Sequence, residues 1–391
     1  MMKDAKSLLS SQAKALTPPS LREITLRVEA VSGINLGQGV CQLPTPPFVC
    51  EAAKQAVAEG INRYTNPRGL PSLRYALAEK LKHYNSIDAD PETQILVSSG
   101  TTGAFEAVCA MLLDPGDEVV NFSPYYPYHQ NALRRYGADV KLVHLSGPDY
   151  LIDPEALNNA CSERTKFILI NTPANPTGKV FSKEELELIA QTAERCNALI
   201  VTDEIYEYMV FGGRKHISPA SLPQLADRTI TIGGYSKTFA ITGWRIGYLV
   251  LPPELATKAA SLLDSIYVCA PAPLQEAVAR GVVEFDDGFY EELCAEYRHK
   301  RDLFCEGLVS VGLKPLIPQG SYYVVADFAD KFRQYDSKSF VDMMIERARV
   351  GAVPSTDFVE NSRQEQWVRF CVSVADSILE QAVENLQALS A

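Results

Sequence analysis

Phe167-Ile168-Leu169-Ile170 and Leu199-Ile200-Val201 are short, β-branched-rich apolar runs, and between them residues 183–196 repeat their apolar positions at helical spacing. A run with no polar alternation suits a strand covered on both faces, and strand–helix–strand in sequence predicts a parallel crossover unit. The same texture continues in both directions. Ile95-Leu96-Val97, Val119-Val120-Asn121-Phe122, 140–145, Thr229-Ile230-Thr231-Ile232 and 246–250 read as further strands, and 104–113 as another helix. Seven such runs alternating with helical segments predict an α/β layer fold around a mostly parallel seven-stranded sheet.

Beyond about residue 285 the pattern changes. A helical stretch at 290–311 leads to a hairpin-like region around Pro318-Gln319-Gly320. A helix near 339–349, a strand at 368–372 and a final helix complete the chain. We expect a large domain over 45–285 and a smaller α+β domain built from 1–44 and 286–391, since 391 residues exceed what one small core organises.

Composition narrows the function. The formal charge of −11 gives no reason to expect nucleic acid. Residues 1–20 lack the apolar stretch of a secretory signal, and no run of about 18 apolar residues predicts a membrane span. Nine cysteines stand without any C-x-x-C pair, an odd number that fits reduced thiols and a cytoplasmic protein. The five histidines form no H-x-x-x-H pair, so a metal centre is not expected.

The chemistry lies in the polar segments that come directly after the apolar runs. Ser98-Ser99-Gly100-Thr101-Thr102-Gly103 opens a helix, leaving N–H groups free for an anion, although a tight turn reads the same way. Asn171 to Gly178 places two asparagines among prolines, which turn chemistry also explains. Asp203 ends one apolar run, where an N-cap role competes with a functional one. Gly233-Gly234-Tyr235-Ser236-Lys237-Thr238 ends another, with Gly243-Trp244-Arg245 close behind. A nucleotide P-loop is excluded there, because Thr231 and Ser236 occupy its two glycine positions. In a parallel sheet these clusters converge beyond the strand ends. A lysine, a carboxylate, a tyrosine, an asparagine, an arginine and a phosphate cradle together suit pyridoxal 5′-phosphate (PLP), whose chemistry needs a Schiff-base lysine and an acid at the pyridine nitrogen.

On those residues the sequence resembles the class I/II aminotransferases of PLP fold type I. The resemblance runs from about Leu21 to the C-terminus, through Gly37-Gln38-Gly39, Tyr64-Thr65-Asn66-Pro67-Arg68-Gly69-Leu70, Asp114-Pro115-Gly116-Asp117, Asn175-Pro176-Thr177-Gly178, Asp203-Glu204-Ile205-Tyr206, Ser236-Lys237, Gly243-Trp244-Arg245 and Arg369. It implies that Lys237 forms the Schiff base and then acts as the base at Cα. It implies Asp203 at the pyridine nitrogen, Tyr206 and Asn175 at the phenolic oxygen, and Tyr126 against the ring. Gly100, Thr101, Thr102, Ser236 and Arg245 would hold the phosphate, with Tyr64 reaching the neighbouring subunit's phosphate in a homodimer. Arg369, Asn175 and the Gly39 backbone would take the substrate α-carboxylate. Substrates would be an amino acid and a 2-oxo acid, in a ping-pong cycle.

Two departures bear on specificity. Val40-Cys41-Gln42-Leu43-Pro44 stands after the glycine turn where the family usually has Pro-Asp or similar, and Thr102 stands where one aspartate-specific bacterial branch has a lysine. Together with Gly320-Ser321-Tyr322-Tyr323, they favour likeness to the kynurenine, glutamine and methionine transaminases. A neutral or aromatic donor is therefore expected, with Tyr126, Tyr267 and Val40 as wall residues. Aspartate amino transfer, with Arg68 as a source of a second cation, and C–S β-lyase chemistry are the alternatives.

Overall fold

The computed structural model of the protein describes residues 5–10, 13–14, 20–360 and 365–389, so parts of the 1–44 segment lie outside the described residues. The central sheet contains β1 (Ile95–Ser98), β2 (Glu118–Ser123), β3 (Asp139–His144), β4 (Thr165–Asn171), β5 (Leu199–Asp203), β6 (Thr229–Gly234) and β7 (Gly247–Val250). Their spatial order is β1-β7-β6-β5-β4-β2-β3. Each run expected to be a strand is one, and the fold is the expected α/β fold type I architecture. β7 alone in this sheet runs antiparallel to its neighbours, β1 and β6. At the β3 edge only Val143 is buried along the strand, whereas β1, β2, β6 and β7 are buried throughout.

Helices cover the sheet for reasons visible in sequence. Helix Lys183–Cys196 starts on a capping box, Ser182 accepting from the Glu185 N–H and Glu185 from the Ser182 N–H, and ends on Asn197 at φ 50°. Its Leu186, Ile189, Ala190 and Ala193 recur at the spacing that keeps one face on the sheet, and all are buried.

The C-terminal region adds a second, antiparallel sheet: β8 (Lys314–Leu316), β9 (Tyr323–Asp327), β10 (Val353–Pro354) and β11 (Trp367–Cys371), in the order β10-β11-β9-β8. Helices Asp287–Ser310, Ser337–Ala348 and Asp376–Leu386 pack on it, together with Ile24 and Val28 of helix Leu21–Ala30. That apolar cluster also takes in Ile205 and Tyr206, which come just after β5. The two packed regions therefore meet beside the end of the central sheet.

Register explains why the polar clusters converge there. Asn171 pairs with Asp203, and Asp203 with Ile232, across β4, β5 and β6. Ser98, Gly247 and Gly234 stand in line across β1, β7 and β6. Because β7 is reversed, it brings its beginning to this edge, and the preceding Arg245 arrives with it.

Candidate active site

Asp203 closes β5 and is buried. Its Oδ2 lies 3.1 Å from His129 Nε2, on helix Pro127–Arg135, and its Oδ1 accepts the Ile205 N–H at 3.2 Å. No helix starts at Asp203, so the N-cap alternative does not apply. One carboxylate oxygen is fixed by a turn and the other by an imidazole, which holds the side chain in one orientation without using a permanent cation.

Lys237 lies just beyond β6. Its Nζ donates to the Gly39 carbonyl at 2.9 Å, with the rings of Tyr322 and Tyr206 at 5.5 and 6.0 Å. Burial lowers its pKa to about 8; Arg245 adds to that and Asp203 opposes it. Desolvation thus outweighs the neighbouring guanidinium. Tyr206 donates its hydroxyl to Tyr323 Oη at 3.1 Å, and burial, then Tyr323, keep its proton bound far above the ordinary phenol range. It is a hydrogen-bonding group here rather than a base.

Arg369, from β11, is buried and donates from Nη1 to Asn175 Oδ1 at 2.8 Å and from Nη2 to the Gly37 carbonyl at 2.5 Å. Its Nε is buried without a hydrogen-bond partner, and its guanidinium faces the rings of Tyr323 and Phe358 at 4.3 and 4.9 Å. A guanidinium so held has one shape to offer a carboxylate.

On the other side, Gly100 opens helix Gly100–Leu112 at φ 70°. A Cβ there would stand 2.5 Å from Arg245 Nη2, and one on Gly247 would stand 2.6 Å from the Gly100 carbonyl carbon. Only glycine at both positions lets the helix start, the strand start and the guanidinium approach this closely. Ser236 is buried between β6 and Lys237. A helix N-terminus with an arginine against it is an anion site, so the residues present fit a phosphate-bearing cofactor that also needs an amine and a fixed carboxylate.

A cavity of about 230 Å³ gathers Gly39, Thr101, Tyr126, Asn175, Asp203, Tyr206, Lys237 and Arg369. Of the remaining expected residues, Gly100, Ser236 and Arg245 do not line this cavity. Thr102 is exposed, and Tyr64 is 82% exposed; neither lines it. Val40 is part of the wall as expected, but Tyr267 is not: its hydroxyl is taken up by the Ser99 N–H at 3.0 Å. Arg68 is also outside the lining and donates to Thr257 Oγ1 at 3.1 Å.

Sequence reading missed His129, Tyr323 and Asp357 as site residues; the last two line the cavity. His129 had one usable signal: it stands three residues after Tyr126, on a helix start, so both face the same way. It also passed over Glu204, Glu207 and His216, whose ligand atoms lie within 4.8 Å of one another. Both carboxylates are already engaged, Glu204 by His216 and Ser218 at 2.6 and 2.9 Å, and Glu207 by Lys80 and Asn85 at 2.5 and 2.8 Å.

The family model described as aminotransferase class I and II matches residues 31–386. Kynurenine–oxoglutarate transaminase 3 of Homo sapiens is 35% identical, over 94% of this chain and 87% of its own length. Aromatic-amino-acid aminotransferase 2 of Thermococcus litoralis is 34% identical over 97% of both. The structure of aspartate aminotransferase from Thermus thermophilus with maleate superposes with a TM-score of 0.89 at 33% identity, over 97% of this chain and 98% of that one.

Proposed function

The chain belongs to the class I and II aminotransferase family and is a PLP-dependent aminotransferase, and from that premise we propose which residues do the work and on what substrates. The observation that carries the assignment is the single cavity in which a buried amine, a fixed carboxylate and a caged guanidinium face one another.

Lys237 would hold the cofactor covalently through Nζ. Asp203, oriented by His129, would pair with the pyridine nitrogen and keep a proton there. Tyr206 and Asn175 would serve the phenolic oxygen, and Tyr126 would stack on the ring. Gly100, Thr101, Thr102, Ser236 and Arg245 would hold the phosphate, joined by Tyr64 from a second copy of the chain. When bound, PLP supplies an electron-withdrawing ring that stabilises negative charge at the substrate Cα. Arg369 aims the substrate through its α-carboxylate, with Asn175 and the Gly39 backbone beside it. With PLP bound, the Lys237 amine would be the group placed to take the Cα proton, a task its lowered pKa suits near neutral pH.

A neutral or aromatic L-amino acid is the donor and a 2-oxo acid the acceptor. The apolar wall of Leu21, Val40, Val353 and Phe358 supports this, as do the names of the kynurenine and aromatic transaminases above. The division into a large domain over 45–285 and a smaller one over 1–44 and 286–391 is supported by the apolar cluster of the C-terminal region, which also takes in Ile24 and Val28 of the N-terminal segment. The exposure of Tyr64 suits a homodimer with shared sites, and nine free cysteines suit a cytoplasmic enzyme. Among the described residues no helix is long and apolar enough to cross a membrane.

The test is a half-reaction screen, in which single amino acids convert the bound cofactor and its spectrum reports the rate. Arg369→Ala should raise the apparent KM for every donor that reacts, by an amount equivalent to roughly 2–5 kcal/mol for a buried hydrogen-bonded charge. An unchanged KM removes Arg369 from the site.

A further inference from the structure

Tyr323 opens β9 and pairs with Cys371 of β11, and its ring lies on the Arg369 guanidinium at 4.3 Å. The side chain is buried. Its ring meets those of Tyr206 and Tyr322 edge-on, at 5.8 and 4.8 Å. Three neighbours thus fix the ring, and the ring fixes where its hydroxyl stands. That hydroxyl lies against Gly39, where a Cβ would collide with it, and accepts the Tyr206 proton at 3.1 Å. Tyr322 has its own partner, donating to the Gly39 carbonyl at 3.0 Å. The proposed function gives Tyr323 no task, although it lines the cavity.

A phenol has one proton to give. In the proposed function, on which this inference rests, the Tyr206 proton would serve the cofactor's phenolic oxygen; in the structure it goes to Tyr323. We propose that Tyr323 is a positioning residue that acts through Tyr206, holding its hydroxyl in place and competing with the phenolic oxygen for its single proton. A proton offered to that oxygen draws off negative charge that keeps the adjoining nitrogen of the Lys237 linkage protonated. Tyr323 therefore keeps that nitrogen more basic than Tyr206 alone would leave it. The other charged and titratable groups around the pair are Tyr126, Tyr322, Cys371, Asp203, Lys237 and Arg369. Loss of the Tyr323 hydroxyl leaves all of them in place. In the same reading the second copy of the chain brings Tyr64 to the phosphate, not to the phenolic oxygen.

The test is a pH titration of the holoenzyme's absorbance, without substrate, in wild type, Tyr323→Phe, Tyr206→Phe and the double variant. Tyr323→Phe keeps the ring on Arg369 and removes the competing acceptor. The midpoint of the cofactor's spectral change should then fall by about half a pH unit or more, the scale of one net hydrogen bond. Tyr206→Phe should raise it by about one unit. The double variant should match Tyr206→Phe within about 0.2 unit, because Tyr323 then has nothing to act through. A Tyr323→Phe midpoint that rises overturns the proposal, and so does a further shift in the double variant beyond Tyr206→Phe. A residue that only packs predicts a lower melting temperature with the midpoint unmoved. One that only touches substrate predicts a raised donor KM with the midpoint unmoved. Either result overturns the positioning role and leaves the aminotransferase site intact. If Tyr206→Phe itself leaves the midpoint where it was, the assignment of Tyr206 falls and takes this proposal with it. Should Tyr323→Phe not fold, 3-fluorotyrosine placed at position 323 keeps the shape and weakens the acceptor. Its midpoint should fall as well, and an unmoved one overturns the proposal.

Discussion

Burial lowers the Lys237 pKa to about 8 from the ordinary lysine value of 10.5, and this has two measurable consequences in the cofactor-free protein. Covalent capture of an aldehyde needs the free amine. The capture rate should therefore climb about tenfold per pH unit below pH 8 and level off above it. Stopped-flow absorbance on apoprotein checks this; a rate still climbing steeply at pH 10 would show an ordinary lysine. Stability carries the same signature. Between about pH 8 and 10.5 the unfolded chain binds this proton and the folded chain does not, so stability of the apoprotein rises with pH across that window. Tyr206 points the other way: its phenol is held protonated, which leaves Lys237 as the proton carrier of the pair.

At the scale of elements, the phosphate cradle is a meeting of backbone ends, and glycine makes the meeting possible. Gly100→Ala puts a methyl 2.5 Å from Arg245 Nη2 at a φ of 70°. Cofactor affinity should fall by about tenfold or more, the cost of a positive-φ side chain at a crowded anion site, with the fold retained. Fluorescence titration measures it. Ser182→Ala is the matching control on an element away from the cavity: loss of the capping box should cost about 1 kcal/mol in thermal denaturation and leave cofactor affinity alone. Elements such as Lys183–Cys196 were legible because their causes are local: a cap, a repeat, an asparagine at the end. The reversal of β7 was not, since 246–250 reads as a buried strand whichever way it runs. His129 and Asp357 escaped for a related reason. Their meaning comes from Asp203, 74 residues away, and from Ser20, 337 residues away, and no local pattern reports such contacts.

The whole molecule places its chemistry where two packed regions meet. The central sheet presents Asn171, Asp203 and Ile232 in register, and the C-terminal sheet swings Arg369 in from the opposite side. Lys237 bridges the two, its Nζ on the carbonyl of Gly39 from the N-terminal segment. Among the described residues, that arrangement makes Lys237 the only cavity-lining side chain able to carry the cofactor as an imine. Borohydride reduction of the PLP-loaded protein, followed by intact mass and peptide mapping, tests this most directly. The account predicts one pyridoxyl group per chain, on Lys237, and none in Lys237→Ala. A reduced label on any other lysine, or a label that survives Lys237→Ala, would contradict it.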